Sequence, residues 1–132
     1  MSSKPDTVPG SNNGETIVNG LRNRVHTYSR PENKAKLTEF FTNILDCSVV
    51  ALPGNMLAFR FPNGASLSVE FTQDALDEQQ ARWGAWLEVE VENPSALKMK
   101  VLAAGLPQVK HPISDRFYFL APGGQVWGIA ES

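Results

Sequence analysis

The same order of predicted elements occurs twice along this chain, and that repeat restricts the fold more than any single motif. In the first half, a β-prone run at residues 25–29 leads into a helix at residues 31–45, whose apolar side chains recur at helical spacing. Ser29 and Glu32 are spaced as a capping box at its start. Three strand-like runs follow, at residues 48–52, 56–61 and 65–71. The first half therefore reads β-α-β-β-β.

The second half repeats this order after a polar, helix-prone connector at residues 73–82. A run at residues 85–91 alternates apolar and polar side chains, and the next helix is bounded by Asn93 and Gly105. Its last three strands are predicted at residues 108–110, 116–120 and 125–130. We therefore predict an α+β fold of two βαβββ modules, at about residues 24–72 and 84–131.

The composition fits one folded domain preceded by a tail. Hydrophobic residues make up 42% of the 132 residues and charged residues 20%, which is typical of a chain that buries a core. Residues 1–20 are rich in Ser, Asn, Gly and Pro, so we predict a flexible tail there and a single domain over residues 21–132.

Charge and hydropathy argue against nucleic acid and membrane as partners, and the single cysteine argues against thiol chemistry. The formal net charge of −2 gives no basic excess for binding nucleic acid, and no apolar run is long enough to cross a membrane. The first residues do not show the basic-then-apolar layout of a signal peptide, so we expect a cytoplasmic protein. Cys47 is the one cysteine, and we predict a packed, inert thiol rather than a nucleophile.

Two stretches resemble a known superfamily. The sequence FYFLAPGGQVWGIAE at residues 117–131 is similar to the closing hairpin of the vicinal oxygen chelate proteins (glyoxalases, bleomycin-resistance proteins and dioxygenases), with Ala121 where that family usually has Asp. His26 precedes the pair Phe40-Phe41 by 14 residues, as the family spaces its first-strand histidine and aromatic pair. The resemblance implies a curved mixed sheet around a cleft, with the helices outside and the modules paired within one chain or between two.

The resemblance also implies where metal ligands would lie. They fall on His26, Glu70, Trp86 (Ala85 if the register slips by one) and Gly128. Neither Trp nor Gly offers a side chain that ligates a divalent ion, whereas a retained catalytic metal normally has three or more protein ligands. We therefore expect no cofactor. The alternative is a divalent metal (Zn, Ni, Mn or Fe) on His26 and Glu70, completed by a non-standard ligand such as Glu88 or Glu131.

Strand alternation predicts the residues that face the cleft. We assign His26 and Glu70 as tentative catalytic residues, and the predicted ligand-binding residues are Tyr28, Arg60, Ser68, Trp86, Glu88 and Tyr118. Plainer interpretations remain open: His26 only hydrogen-bonds Glu70 or a backbone group, Glu70 pairs with Arg60, and Trp86 only fills the vacated metal cavity. His111, outside this set, is a surface loop histidine by default.

Three functions remain open at this point. The first is a metal-free protein that binds a small molecule in the inter-module cleft, with a basic ligand favoured by Glu70, Glu88 and Glu90. The second is a lyase, isomerase, hydrolase or dioxygenase-like enzyme that uses His26 and Glu70 as an acid/base pair or as part of a non-standard metal site. The third is an accessory subunit without a ligand. Because homodimers are frequent in the superfamily, we expect a homodimer.

Overall fold

The computed structural model describes residues 18–132 and contains two four-stranded sheets. The predicted tail at residues 1–20 lies almost entirely outside the described residues. Sheet 1 has the strand order β1-β4-β3-β2, and its strands are β1 (Arg24–Ser29), β2 (Ser48–Leu52), β3 (Met56–Arg60) and β4 (Ser66–Phe71). Sheet 2 has the order β5-β8-β7-β6, and its strands are β5 (Leu87–Val91), β6 (Gln108–Val109), β7 (Phe117–Leu120) and β8 (Val126–Glu131).

The two sheets have the same topology. In each, the first strand runs parallel to the last, while the remaining neighbours are antiparallel. The helix joins the first strand to the second, and two antiparallel turns then bring the last strand beside the first. The predicted fold of two βαβββ modules is therefore confirmed. Among the described residues, no helix combines the length and the apolar character needed to cross a membrane.

The first helix, α1, changes its winding along its length. It begins with a 3-10 turn (Pro31–Asn33), continues as an α-helix (Lys34–Glu39) and ends in a π-helical turn (Phe40–Ile44). The predicted capping box is wrong: Ser29 ends strand β1, and its hydroxyl accepts a hydrogen bond from the Asn33 side-chain amide at 3.1 Å. The 3-10 turn is closed instead by the backbone N–H of Asn33, which donates to the carbonyl of Arg30.

The other two helices follow the sequence signals more closely. Helix α2 (Glu78–Ala81) lies in the connector, and helix α3 (Pro94–Ala103) begins after Asn93, whose side-chain oxygen accepts from the backbone N–H of Ala96 at 3.1 Å. Gly105 has a φ of +77°, the left-handed conformation that ends many helices.

The outer, helix-covered faces of the two sheets share one core. Phe41 of α1 stacks on Phe59 of sheet 1 with 4.4 Å between ring centroids, and it also contacts Trp127 of sheet 2 at 5.9 Å. Phe40 packs against Phe119 of sheet 2 at 5.9 Å. The predicted site residues lie on the opposite face of each sheet, which we call the open face. This face is exposed at His26 and Glu70 of sheet 1 but buried at Tyr118 of sheet 2.

Candidate functional site

The open face of module 1 brings three polar side chains together. His26 on β1 lies opposite Ser68 on β4, and its Nδ1 is 2.7 Å from the Ser68 hydroxyl oxygen. The other ring nitrogen, Nε2, is 3.7 Å from a carboxylate oxygen of Glu70. Tyr28, two residues along β1, meets the imidazole edge-on at 4.9 Å. The side chains of His26 and Glu70 are 40% and 44% exposed, so a ligand in solution can reach both.

Arg60 lies on the same sheet but does not pair with Glu70. It is opposite Ser66, whereas Glu70 is opposite Met56 at the other end of β3. Four residues of a strand span about 13 Å, which is too far for a direct ion pair. The plainer interpretation of Glu70 as a partner of Arg60 is therefore wrong, and the basic group beside Glu70 is His26.

The strand register relates the two modules position by position. In module 1, Tyr28 lies opposite Glu70, and His26 precedes it by two residues. In module 2, Glu88 lies opposite Gly128, and Trp86 precedes it by two residues. Trp86 and Gly128 thus occupy in module 2 the positions that His26 and Glu70 occupy in module 1.

Tyr118 fills the space beside Gly128. A β-carbon built on Gly128 would lie 2.7 Å from Cδ1 of the Tyr118 ring and closer still to Cε1. The ring is only 3% exposed, and its hydroxyl donates a hydrogen bond of 2.9 Å to the carboxylate of Glu88. The same carboxylate also receives the guanidinium of Arg116 at 3.4 Å. A side chain at position 128 is therefore sterically incompatible with Tyr118 where it lies.

Three aromatic rings pack on one another over this part of module 2, and we call Trp86, His111 and Tyr118 the aromatic cluster. The ring centroids are 5.4 Å apart for Trp86 and Tyr118, 5.6 Å for Trp86 and His111, and 5.3 Å for the stacked pair His111 and Tyr118. The Trp86 indole N–H donates to the carbonyl of Arg82 at 3.0 Å. The aromatic cluster occupies the part of the predicted site that module 2 contributes.

His111 is a part of this site that the sequence interpretation missed. Its Nδ1 accepts hydrogen bonds from the backbone N–H groups of Ile113 and Ser114, at 3.0 and 2.9 Å. That nitrogen therefore carries no proton, and a neutral ring has its proton on Nε2. His111 is partly exposed in its loop, and its ring is also stacked on Tyr118. No strand periodicity covers this loop, so no signal in the sequence predicted the contact.

A cavity of about 630 Å³ opens between the modules, next to β1 and β5. Its apolar floor consists of Leu45, Phe61, Leu67, Leu87, Val89 and Trp127, and its carboxylates are Asp46, Glu88, Glu90 and Glu92. No Lys or Arg side chain is among the residues that line it. The indole nitrogen of Trp127 is buried and has no hydrogen-bond partner in the described part of the chain. Of the predicted site residues, Glu88 alone lines this cavity.

Comparison with known proteins gives a fold but no sequence relative. No protein-family model matches the chain, and no curated protein matches it. A solved structure assigned to the glyoxalase family, from Bacillus anthracis, is similar over 89% of this chain and 98% of its own, with a TM-score of 0.68 and 13% identity. The fosfomycin resistance protein FosX from Listeria monocytogenes matches over 88% and 93%, with a TM-score of 0.65 and 14% identity. FosX from Mesorhizobium loti matches over 88% and 94%, with a TM-score of 0.63 and 11% identity. The chain has the vicinal oxygen chelate fold.

Metal binding is documented for one of these neighbours. The Listeria FosX structure was solved with Mn(II) and sulfate. At the four positions where the sequence resemblance implies metal ligands, this chain has an imidazole and a carboxylate in module 1, and an indole and a glycine in module 2. Across residues 18–132, no group of three or more His, Cys, Asp or Glu side chains has the arrangement of a metal site.

Proposed function

We propose that this protein binds a small organic molecule between its modules and does so without a resident catalytic metal. The observation that carries the proposal is the packing of Tyr118 against Gly128, because it places an aromatic ring where module 2 would need a ligand side chain. The one polar hydrogen of the Trp86 side chain is donated to the carbonyl of Arg82. Two donors from module 1 do not fit a retained divalent ion, which normally needs at least three.

The inter-module cavity is the binding site we favour. Small-molecule sites typically measure about 300–1,000 Å³, combine apolar walls with a few polar groups, and leave one or two of those groups free to orient the ligand. The cavity of about 630 Å³ falls in this range. Because the residues that line it include carboxylates and no Lys or Arg, the ligand class that fits is an apolar molecule with a positive charge.

Metal analysis tests the first part of the proposal. Protein purified without chelator or affinity metal is incubated with Zn, Ni, Mn or Fe(II), freed of unbound ion, and analysed by mass spectrometry. We expect well under one ion per chain, and the same result for His26→Ala. One tightly held ion per wild-type chain that is lost in His26→Ala would refute the metal-free assignment.

Tryptophan fluorescence tests the second part, because the three tryptophans lie in different environments. Trp127 lines the cavity, Trp86 belongs to the aromatic cluster, and Trp83 is 81% exposed. A panel of aryl and alkyl amines is titrated into wild-type protein and into the variants Trp127→Phe, Trp86→Phe and Trp83→Phe. We expect a saturable response that only Trp127→Phe abolishes. A response that depends on Trp86 would move the ligand to the open face of module 2.

An enzymatic function is the second candidate, and one observation favours it. The 3.7 Å approach of His26 to Glu70 places an imidazole beside a carboxylate on an accessible face, which is the arrangement of an acid/base pair. The enzymatic function predicts that the protein turns over a small substrate, and that the turnover rate falls in both His26→Gln and Glu70→Gln. Binding without any product in wild-type protein would argue against it.

We also propose a homodimer located in the cytoplasm. The proposal of a dimer rests on the superfamily resemblance, because homodimers are frequent among the vicinal oxygen chelate proteins. Light scattering should report about twice 14.5 kDa, and a monomer at all concentrations would contradict the proposal. Cell fractionation checks the location.

A further inference from the structure

On the open face of module 1, a hydroxyl contacts an imidazole, and the imidazole in turn contacts a carboxylate. Ser68 Oγ is 2.7 Å from His26 Nδ1, and His26 Nε2 is 3.7 Å from Glu70. None of these three residues lines the inter-module cavity. We infer that Ser68 is a nucleophile that attacks small carboxylic esters, with His26 as its base and Glu70 as the group that orients the imidazole. This activity goes beyond ligand binding in the cavity and does not depend on it.

Backbone pairing fixes the three side chains relative to one another. His26 and Ser68 are direct partners across β1 and β4, so their side chains emerge on the same face, and Glu70 follows two residues later on that face. The Thr27 hydroxyl donates to the backbone carbonyl of Ser68 at 3.0 Å, which adds a cross-strand bond at the nucleophile. The edge-on contact with Tyr28 restricts rotation of the imidazole. Nucleophile, base and orienting group in this sequence are the general signature of covalent catalysis.

The neighbouring strands define the class of substrate. Ser68 lies opposite Ala58 on β3, and Ala58 lies opposite Val50 on β2. Ala58 leaves space beside the hydroxyl, and Val50 is 48% exposed, so a short apolar acyl group can lie over these two side chains. Arg60 is two residues from Ala58 on the same face, and its guanidinium would stabilise the negative charge that develops on the carbonyl oxygen. The substrate that fits is an ester of a short aliphatic acid.

The reaction balances without a metal or an oxidant. Ser68 Oγ forms a bond to the ester carbonyl carbon, and its proton moves to His26 Nδ1. The ester C–O bond then breaks, the alcohol leaves with that proton, and the acyl group remains on Ser68. Water attacks the acyl group and gives a proton to Nδ1, which returns it to Ser68 as the carboxylic acid departs. Glu70 stabilises the imidazolium through Nε2–H.

The full chain, freed of metal with chelator, is incubated with p-nitrophenyl butyrate and, separately, with a fluorophosphonate probe that modifies activated serines. We expect one adduct per chain on Ser68, located by mass spectrometry, together with release of p-nitrophenol. Ser68→Ala should abolish both signals, and His26→Gln should slow both by about a hundredfold, the lower end of what a general base contributes. Ser66→Ala is the matched control, because it removes a hydroxyl from the same face and should leave both signals unchanged.

Three results would overturn the assignment: no adduct on wild-type protein, an adduct on another residue, or ester hydrolysis that persists in Ser68→Ala. Circular dichroism confirms that Ser68→Ala and His26→Gln are folded before their rates are compared. The amine titration followed through Trp127 is repeated on Ser68→Ala and should be unchanged. Failure of esterase activity and failure of cavity binding are thereby read from separate signals.

Discussion

Replacing Gly128 by alanine should destabilise the folded chain by about 2 kcal/mol, within the range of about 1–3 kcal/mol that overpacking costs. The added β-carbon would lie 2.7 Å from Cδ1 of Tyr118, well inside van der Waals contact. The ring cannot move away freely, because it is stacked on His111, packed against Trp86 and hydrogen-bonded to Glu88. In open strand the same change would be favourable by about 0.5–1 kcal/mol, since glycine weakens strands.

A double-mutant cycle isolates the contact itself. Tyr118→Ala alone should cost about 3–5 kcal/mol, as for other large buried aromatic side chains. In that background the clash is gone, so adding Gly128→Ala should cost nothing or stabilise the chain slightly. The coupling free energy between the two positions is therefore expected to be about 2–3 kcal/mol, near the upper end of the range for residues in contact.

Urea unfolding followed by far-ultraviolet circular dichroism measures all four members of the cycle. Gly20→Ala is the control, because a β-carbon there meets no atom within 4 Å; its stability should stay within about 0.5 kcal/mol of wild type. Equal stability of Gly128→Ala and wild type would refute the reasoning. An unchanged cost of Gly128→Ala in the Tyr118→Ala background would refute it as well, since it would trace the loss to the strand backbone.

Three further predictions address the thiol, the aromatic cluster and the core. Burial, and secondarily the Asp46 carboxylate, raise the pKa of Cys47 from 9.0 to about 12, so a chromogenic disulfide reagent at pH 8 should react with it only after unfolding. Because the raised pKa keeps the folded thiol protonated, the free energy of unfolding should fall as pH rises from about 9 towards 12, and Cys47→Ala should show a smaller fall in urea titrations. His111→Phe keeps a ring on Tyr118 but leaves the N–H groups of Ile113 and Ser114 without their acceptor; we expect a loss of about 1–2 kcal/mol by thermal unfolding, and a gain would contradict the bonding described. Phe40→Ala, at a side chain only 2% exposed, should cost about 3–5 kcal/mol, and a cost below about 1 kcal/mol would show that the shared core is not as tightly packed as its contacts imply.

The fold could be predicted because its signals are local. Apolar side chains at period 2 mark the strands, as at Leu67, Val69 and Phe71 of β4, which are all buried as expected. Helical spacing predicted α1, and the repetition of the same order of elements predicted two βαβββ modules. Alternation also placed His26 and Glu70 on one face of the sheet, where they meet.

The remaining features depend on contacts between distant segments. Tyr118 and Gly128 are opposite each other on β7 and β8, and only the packed structure shows that one side chain occupies the other's space. The contact of His111 with Trp86 depends on the path of an irregular loop, for which alternation gives no rule. Ser29 has the residue type of a helix cap, yet it ends a strand and binds the Asn33 side chain, because Pro31 opens a 3-10 turn instead.

The contact between Tyr118 and Gly128 also restricts how this half of the molecule can change over generations. A carboxylate at position 128 would meet the ring unless Tyr118 were lost first, and loss of Tyr118 alone would leave a hole beside Trp86 and remove a partner of Glu88. Either single step passes through a less stable protein, and only the pair restores packing. A change from this arrangement to one with a carboxylate at position 128 therefore requires two coordinated substitutions.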